Sequence, residues 1–106
     1  MLNKIRKFNS RDWNSFPGVE KGTDEKPSLI LEKKYFAREI VIILSPDIDH
    51  EGEFIMTVWG AAPESEDHFY LYPCSYEIGL ILLNGFTVAS HSEIFLAFER
   101  NFMKLG

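Results

Sequence analysis

Seven consecutive residues, Asp47 to Glu53 (DIDHEGE), place four carboxylates and a histidine in one short stretch. Carboxylates at alternate positions before a glycine resemble the opening of an EF-hand calcium loop. That loop also requires a bidentate acid at its twelfth position, and the residue there is Val58. We therefore predict a solvated acidic turn and no metal site.

The other residue types that commonly do chemistry show no productive spacing. His50, His68, His91 and Cys74 are widely separated and form neither C-x-x-C nor H-E-x-x-H. Cys74 precedes an apolar run without a basic neighbour, which is typical of a structural thiol. There is no glycine-rich phosphate loop and no nucleophile elbow. These patterns predict a protein that is not an enzyme, with no catalytic residues and no cofactor.

Charge is distributed unevenly along the chain. The first 38 residues hold nine Lys or Arg against five Asp or Glu, whereas residues 39 to 99 hold eleven acids and no Lys or Arg. Such a layout produces a lopsided electrostatic field. It disfavours nucleic acid, whose binding requires cations against phosphates, and it favours capture of a basic protein.

The predicted partner-binding residues lie in this acidic portion, where exposed aromatic side chains beside carboxylates make good interface anchors. They are Asp47, Asp49, Glu51 and Glu53 in the first acidic turn, Glu64, Glu66 and Asp67 in the second, and the aromatics Trp59, Tyr70 and Tyr72. We expect the two turns to lie at opposite ends of the strand between them, so that a single partner contacts one of them.

The elements that position these residues are predicted from hydrophobic periodicity. A chain of 106 residues with 45% hydrophobic residues predicts one α+β domain over residues 1–106. The strands Glu39–Leu44, Phe54–Ala61 and His68–Tyr72 have short connections and predict an antiparallel meander of three to four or more strands, with Ser45-Pro46 and Pro73 ending two of them. Residues 28–36 fit either a further strand or a short helix. Near the N-terminus, Ser10 is the expected cap of a short helical turn.

The segment Ser75–Ala89 has two readings. Asn84-Gly85 is a strong hairpin signal, but the same pair also ends helices, with glycine in the left-handed position. The leucines of IGLILL favour a short second helix at 76–84.

The C-terminus is expected to form an amphipathic helix packed across the sheet. Ser90 and Glu93 match a capping box. The apolar stripe that follows, with charged residues outside it, consists of Ile94, Phe95, Phe98, Phe102 and Leu105.

The chain has one cysteine, no signal-peptide pattern and no apolar run of membrane-spanning length, which predicts a soluble cytoplasmic protein without membrane contact. Its size, acidity and aromatic content, together with the lack of a catalytic motif, resemble those of small bacterial immunity proteins. Examples are the immunity proteins paired with contact-dependent growth-inhibition toxins and the barstar-type nuclease inhibitors. The resemblance implies a protein that neutralises a basic cognate toxin. The main alternative is a small-ligand-binding or enzymatic domain with a pocket between sheet and helices, and the oligomeric state stays open.

Overall fold

In the described part of the chain, six strands form one antiparallel sheet in which neighbours in the chain are neighbours in the sheet. The computed structural model describes residues 5–35, 38–60, 69–90, 92–94, 96–97 and 103–105. The strands are β1 (Ile5–Lys7), β2 (Leu29–Tyr35), β3 (Arg38–Pro46), β4 (Phe54–Gly60), β5 (Phe69–Cys74) and β6 (Met103–Leu105). Every adjacent pair is antiparallel. The predicted α+β class and the meander are confirmed, and residues 29–35 are a strand.

The two faces of the sheet follow from the two-residue period of its strands. In β4, Phe54, Met56 and Val58 are buried, whereas the alternate residues Ile55, Thr57 and Trp59 are half-buried. The buried set joins residues of β2 and β3 in a core that the helices cover. We call this the core face and the other side the outer face.

Helix α2 (Tyr76–Phe86) covers the core face, which confirms the second short helix and excludes the hairpin. The Ser75 hydroxyl accepts a hydrogen bond from the N–H of Ile78 at 3.1 Å and caps its first turn. Gly85 lies inside this helix, so the prediction that it takes a left-handed position after the helix is wrong. Burial of an apolar face extends α2 past that glycine, a long-range effect that turn propensity does not contain.

A second capped helix follows, and residues 92–94 and 96–97 are helical. Its predicted capping box is present: Ser90 N–H donates to Glu93 at 2.7 Å, and Glu93 N–H donates to the Ser90 hydroxyl at 3.2 Å. Ile94 is fully buried in the core, as the stripe predicts. The continuation of this helix to Leu105 is wrong, because 103–105 form β6 and pair with β5. Strand pairing satisfies the open backbone edge of β5, which outweighs local helix propensity. Phe95, Phe98 and Phe102 lie outside the described residues or side chains.

Helix α1 (Ser10–Ser15) lies near the N-terminus, after β1. Its cap is Asn9 and not Ser10: the Asn9 side chain accepts from Asp12 N–H at 3.0 Å, and the Asp12 carboxylate accepts from Asn9 N–H at 2.8 Å. An Asn with an acid three residues later makes the same reciprocal pair as the Ser-Glu form. Strand β1 was not predicted, since three residues carry too little periodicity.

Of the two prolines predicted to end strands, Pro46 is the last residue of β3, as predicted, whereas Pro73 lies one residue before the end of β5. Pro46 pairs with Phe54 of β4, and Pro73 pairs with Ile55 of β4. On the other side of each strand, neither proline is paired with a described residue. The described pairing of β3 with β2 ends at Leu44, and the described pairing of β5 with β6 ends at Leu71. A proline is tolerated at such positions because fewer ladder hydrogen bonds need its missing N–H.

Candidate functional site

Residues 47–53, here called the acidic turn, form a closed loop between β3 and β4. Asp47 N–H donates to the Glu53 carbonyl at 2.9 Å, and Glu53 N–H donates to the His50 carbonyl at 3.1 Å. Gly52 has a φ of 83°, the left-handed conformation that glycine adopts without strain. The turn therefore has a defined shape.

Asp47 organises this turn from within. Its carboxylate accepts from Asp49 N–H at 3.0 Å and lies 3.1 Å from His50 Nδ1. The Asp47 side chain is only 10% exposed. The hydrogen bond from Asp49 N–H lowers the pKa of Asp47, and the hydrogen bond with His50 lowers it further. The hydrogen bond between His50 and Asp47 also raises the pKa of His50. Asp47 thus holds the loop, while Asp49, Glu51 and Glu53 are exposed.

The exposed acids of the turn point into two different environments. Asp49 lines a groove on the outer face, whereas Glu51 and Glu53 line a cleft of about 370 Å³ with Lys21 and Lys26. The two lysines thus border the same cleft as the second pair of acids. Only the Asp49 side of the turn presents negative charge without a neighbouring cation among the described lining residues.

The groove has a volume of about 570 Å³ and runs between the outer face of the sheet and the segment after α1. Its floor is Ile55, Thr57 and Trp59 of β4 with Leu71 of β5. Its wall and rim are Ser15, Phe16, Pro17, Gly18, Val19 and Glu20 on one side and Ser45, Pro46, Asp47, Ile48 and Asp49 at one end. The groove therefore combines an apolar floor with three carboxylates at its rim.

Ring contacts and a salt-bridge network fix the wall of the groove. The rings of Phe16 and Trp59 meet edge to face with centroids 5.3 Å apart, and Trp59 Nε1 donates to the Thr57 hydroxyl at 3.2 Å. Arg6 of β1 donates to Asp12 of α1 at 3.1 Å and to Glu32 of β2 at 2.7 Å. These hydrogen bonds raise the pKa of Arg6 and tie α1 to the sheet.

The predicted contact residues divide between the two faces. Trp59 is half-buried and lines the same groove as Asp49. Tyr72 pairs with Met56 and packs against the core, so it does not share the surface of Trp59. Successive residues of a strand point to opposite faces, and the register decides which face each residue takes. Tyr70 pairs with Val58, and its side chain is outside the described part.

The second predicted acidic turn, with Glu64, Glu66 and Asp67, lies outside the described residues. The residues flanking it are Gly60, at the end of β4, and Phe69, at the start of β5. The acidic turn immediately precedes the first residue of β4. Gly60 and Phe69 both lie near the other end of that strand.

In the described ranges, no three His, Cys, Asp or Glu side chains converge to hold a metal. Val58, the would-be calcium ligand, is fully buried in β4. Cys74 packs against the core, and burial raises the pKa of its thiol to about 11. A thiol protonated at neutral pH is a poor nucleophile.

Comparisons of the chain with protein-family models, with curated proteins and with solved structures found no match. Within the described residues, no helix combines the length and the apolarity needed to cross a membrane.

Sequence reasoning did not identify the wall of the groove. Phe16, Val19 and Glu20 are not among the predicted partner-binding residues. The available signal was the alternation of Ile55, Thr57 and Trp59, which indicates that a second face of β4 is partly apolar. Which segment lies over that face is set by the chain path from α1, and no local pattern encodes it.

Proposed function

We propose that this protein is a non-enzymatic binding module that recognises a basic protein, and that it acts as an immunity or antitoxin-like inhibitor of a cognate toxin. The observation that carries the proposal is the juxtaposition of Asp49 and Glu20 with an apolar groove that contains Trp59. Carboxylates steer a basic partner, and a half-buried aromatic supplies contact area for a long-lived complex.

The charge balance of the chain supports this proposal. The formal net charge is −5. Lys33, one of the basic residues, is only 2% exposed and binds carbonyl oxygens inside the protein, so its charge does not face a partner. The net negative charge of the chain therefore favours a basic partner.

The first experiment identifies the partner and its effect. The protein, immobilised at low salt, captures its partner from the native source, and the product of the neighbouring gene is tested in parallel. Co-expression with the identified partner should restore growth if the partner is a toxin that this protein neutralises. A partner without toxicity, or toxicity unchanged by co-expression, would contradict the inhibitor role.

The second experiment tests electrostatic capture. The double variant Asp49→Asn, Glu20→Gln removes two rim charges with little change in shape. We expect association to slow by roughly threefold to tenfold at low salt and to lose salt dependence, with a smaller effect on dissociation. The matched control is Glu51→Gln, Glu53→Gln, which removes two charges beside Lys21 and Lys26. Equal association rates for both double variants in stopped-flow binding would refute steering by the groove rim.

A small-ligand site is the second candidate, because a groove of about 570 Å³ lies within the size range of ligand pockets. The described lining contains carboxylates but no histidine, so it lacks a side chain whose ordinary pKa suits a general base at neutral pH. Thermal-shift screening with small cationic amphiphiles tests this candidate. A saturable rise in melting temperature with such a compound, and no basic protein partner, would favour it.

A further inference from the structure

We infer that the groove receives an extended segment of the basic partner, with a Lys or Arg side chain at the Asp49 end and an apolar side chain at the Trp59 end. The inference rests on the proposed function and specifies how the partner is read. Its grounds are the length of the groove, the chemistry of its two ends and the position of β4 within the sheet.

The length of the groove suits a short extended segment. Ile55, Thr57 and Trp59 point to the same side of β4, and all three line the groove. A strand rises about 3.2–3.4 Å per residue, so Ile55 and Trp59 are separated by about 13 Å. An extended segment of about four residues covers that distance, and one side chain alone does not.

The two ends of the groove differ in chemistry. Asp47 and Asp49 belong to the turn that immediately precedes β4, so they lie at the Ile55 end. A Lys or Arg side chain there can lay its aliphatic stem on apolar surface and place its charged head against a carboxylate. Ile48, which is 74% exposed, extends the apolar surface at this end.

The other end is aromatic. Trp59 and Phe16 form its boundary, in edge-to-face contact. An aliphatic or aromatic side chain of the partner would displace water from these rings and stack against Trp59. The groove therefore reads a segment in one direction, with the base near the acidic turn and the apolar residue about 13 Å away.

Backbone pairing does not contribute to this recognition. Strand β4 is hydrogen-bonded to β3 on one side and to β5 on the other, so its backbone groups are occupied. A segment lying on the sheet face thus binds through side chains and not by adding a strand. Without main-chain hydrogen bonds, specificity depends on both anchors together, and loss of either should release the segment.

The test begins with a phage-displayed library of random peptides selected on the purified protein. We expect enrichment of peptides in which Lys or Arg stands about three or four residues from an aliphatic or aromatic residue. The best peptide is then synthesised with a fluorophore, and its affinity is measured by fluorescence anisotropy. Enriched peptides without a basic residue, or no enrichment, would overturn the inference.

Three variants locate the bound peptide. Thr57→Phe fills the floor of the groove and should abolish binding. Asp49→Lys reverses the charge at the groove rim and should weaken the affinity for the peptide at least tenfold. Glu51→Lys is the matched control, because Glu51 belongs to the same turn but lines the cleft with Lys21 and Lys26. Its affinity for the peptide should stay within about twofold of that of the parent protein. If Asp49→Lys and Glu51→Lys weaken binding equally, the groove is not the site.

Additional measurements keep the inference testable if Thr57→Phe does not fold. Chemical-shift changes on titrating the parent protein with the peptide should map to Ile55, Thr57 and Leu71; changes confined to the helices would overturn it. A concentration-dependent dimer of the parent, lost in Asp49→Lys, would assign the groove to a second copy of the chain and would also overturn it.

Failure of the groove inference can be told from failure of the proposed function. A basic partner that binds groove-blocked variants as tightly as the parent overturns the groove inference while the proposed function stands. Selected peptides that bind the groove in a chain that neutralises no basic protein contradict the proposed function and leave the groove preference in place.

Discussion

Lys33 is a buried lysine that supports a helix distant in sequence. It is 2% exposed, and its ammonium group donates to the carbonyl oxygens of Phe86 at 2.8 Å, Thr87 at 3.2 Å and Ala89. These carbonyls lie at the end of α2, which has no basic residue in its own last turn. Burial lowers the pKa of Lys33. The negative end of the helix dipole favours a cation at this place.

Replacing Lys33 with methionine keeps the length of the side chain and removes the charge. Hydrogen bonds to a charged group contribute about 1.5–3 kcal/mol each, so the three bonds together contribute roughly 4.5–9 kcal/mol. The substitution also removes the several kcal/mol that burial of the ammonium costs. We therefore expect the free energy of unfolding to fall by about 2–4 kcal/mol, which lowers the melting temperature by roughly 10–25 °C in a domain of this size.

Urea and thermal unfolding followed by circular dichroism measure this change. The matched control is Lys34→Met, since Lys34 is the next residue in β2 and is exposed. Exposed substitutions of this kind usually change the free energy of unfolding by less than about 0.5 kcal/mol. If Lys33→Met lowers it by less than about 1 kcal/mol, the cost of burying the ammonium cancels its hydrogen bonds, and the reasoning is refuted.

Four further predictions concern packing, reactivity, pH and metal. A Cβ on Gly79 would lie 2.5 Å from a core leucine, so Gly79→Ala should destabilise the protein even though alanine has the better helix propensity. A Cβ on Gly85 would lie in open space, so Gly85→Ala should stabilise the protein by about 0.5–1 kcal/mol. Equal urea midpoints for the two variants would contradict this. Cys74, with a pKa raised to about 11, should react with iodoacetamide at about pH 8 roughly a hundredfold more slowly in the folded than in the urea-unfolded protein, and equal rates would show that its thiol is not buried. The hydrogen bond from Arg6 lowers the pKa of Asp12 below 3.8. The Asp12 carboxylate therefore contributes to stability above pH 3.8, and this contribution is lost as the pH falls through the pKa that Asp12 has in the folded protein. Asp12→Asn should flatten this acid dependence of the urea midpoint. Millimolar calcium should leave the melting temperature unchanged, and a saturable rise of several degrees would restore the acidic turn as a metal site.

Signals confined to a few neighbouring residues were sufficient to predict much of the fold. Alternation in FIMTVWG and the β-branched run EIVIIL indicated β4 and β3, and the acids with Gly52 indicated the turn between them. The Ser90 and Glu93 capping box formed as predicted, because both partners lie within one turn of helix. Such patterns work because their partners are close in sequence and their geometry repeats.

The same local reasoning failed where distant segments compete. Leu105 continued a helical stripe, but residues 103–105 pair with β5, which offered an unpaired edge. Gly85 matched a helix stop, but burial of α2 against the core extended the helix past it. In both cases tertiary contacts outweighed a local preference of about 1 kcal/mol or less.

The candidate site divides in the same way. The amino-acid sequence by itself determined that residues 47–53 form an acidic turn, that β4 has two faces and that residues 39 to 99 contain no Lys or Arg. Only the tertiary structure decided that Asp49 borders an apolar groove while Glu51 and Glu53 share a cleft with Lys21 and Lys26. It also decided that Lys33 serves Phe86, 53 residues away. The physical reason is that hydrogen bonds and side-chain contacts act over a few ångströms in space, and the packing of the whole sheet determines which residues come that close.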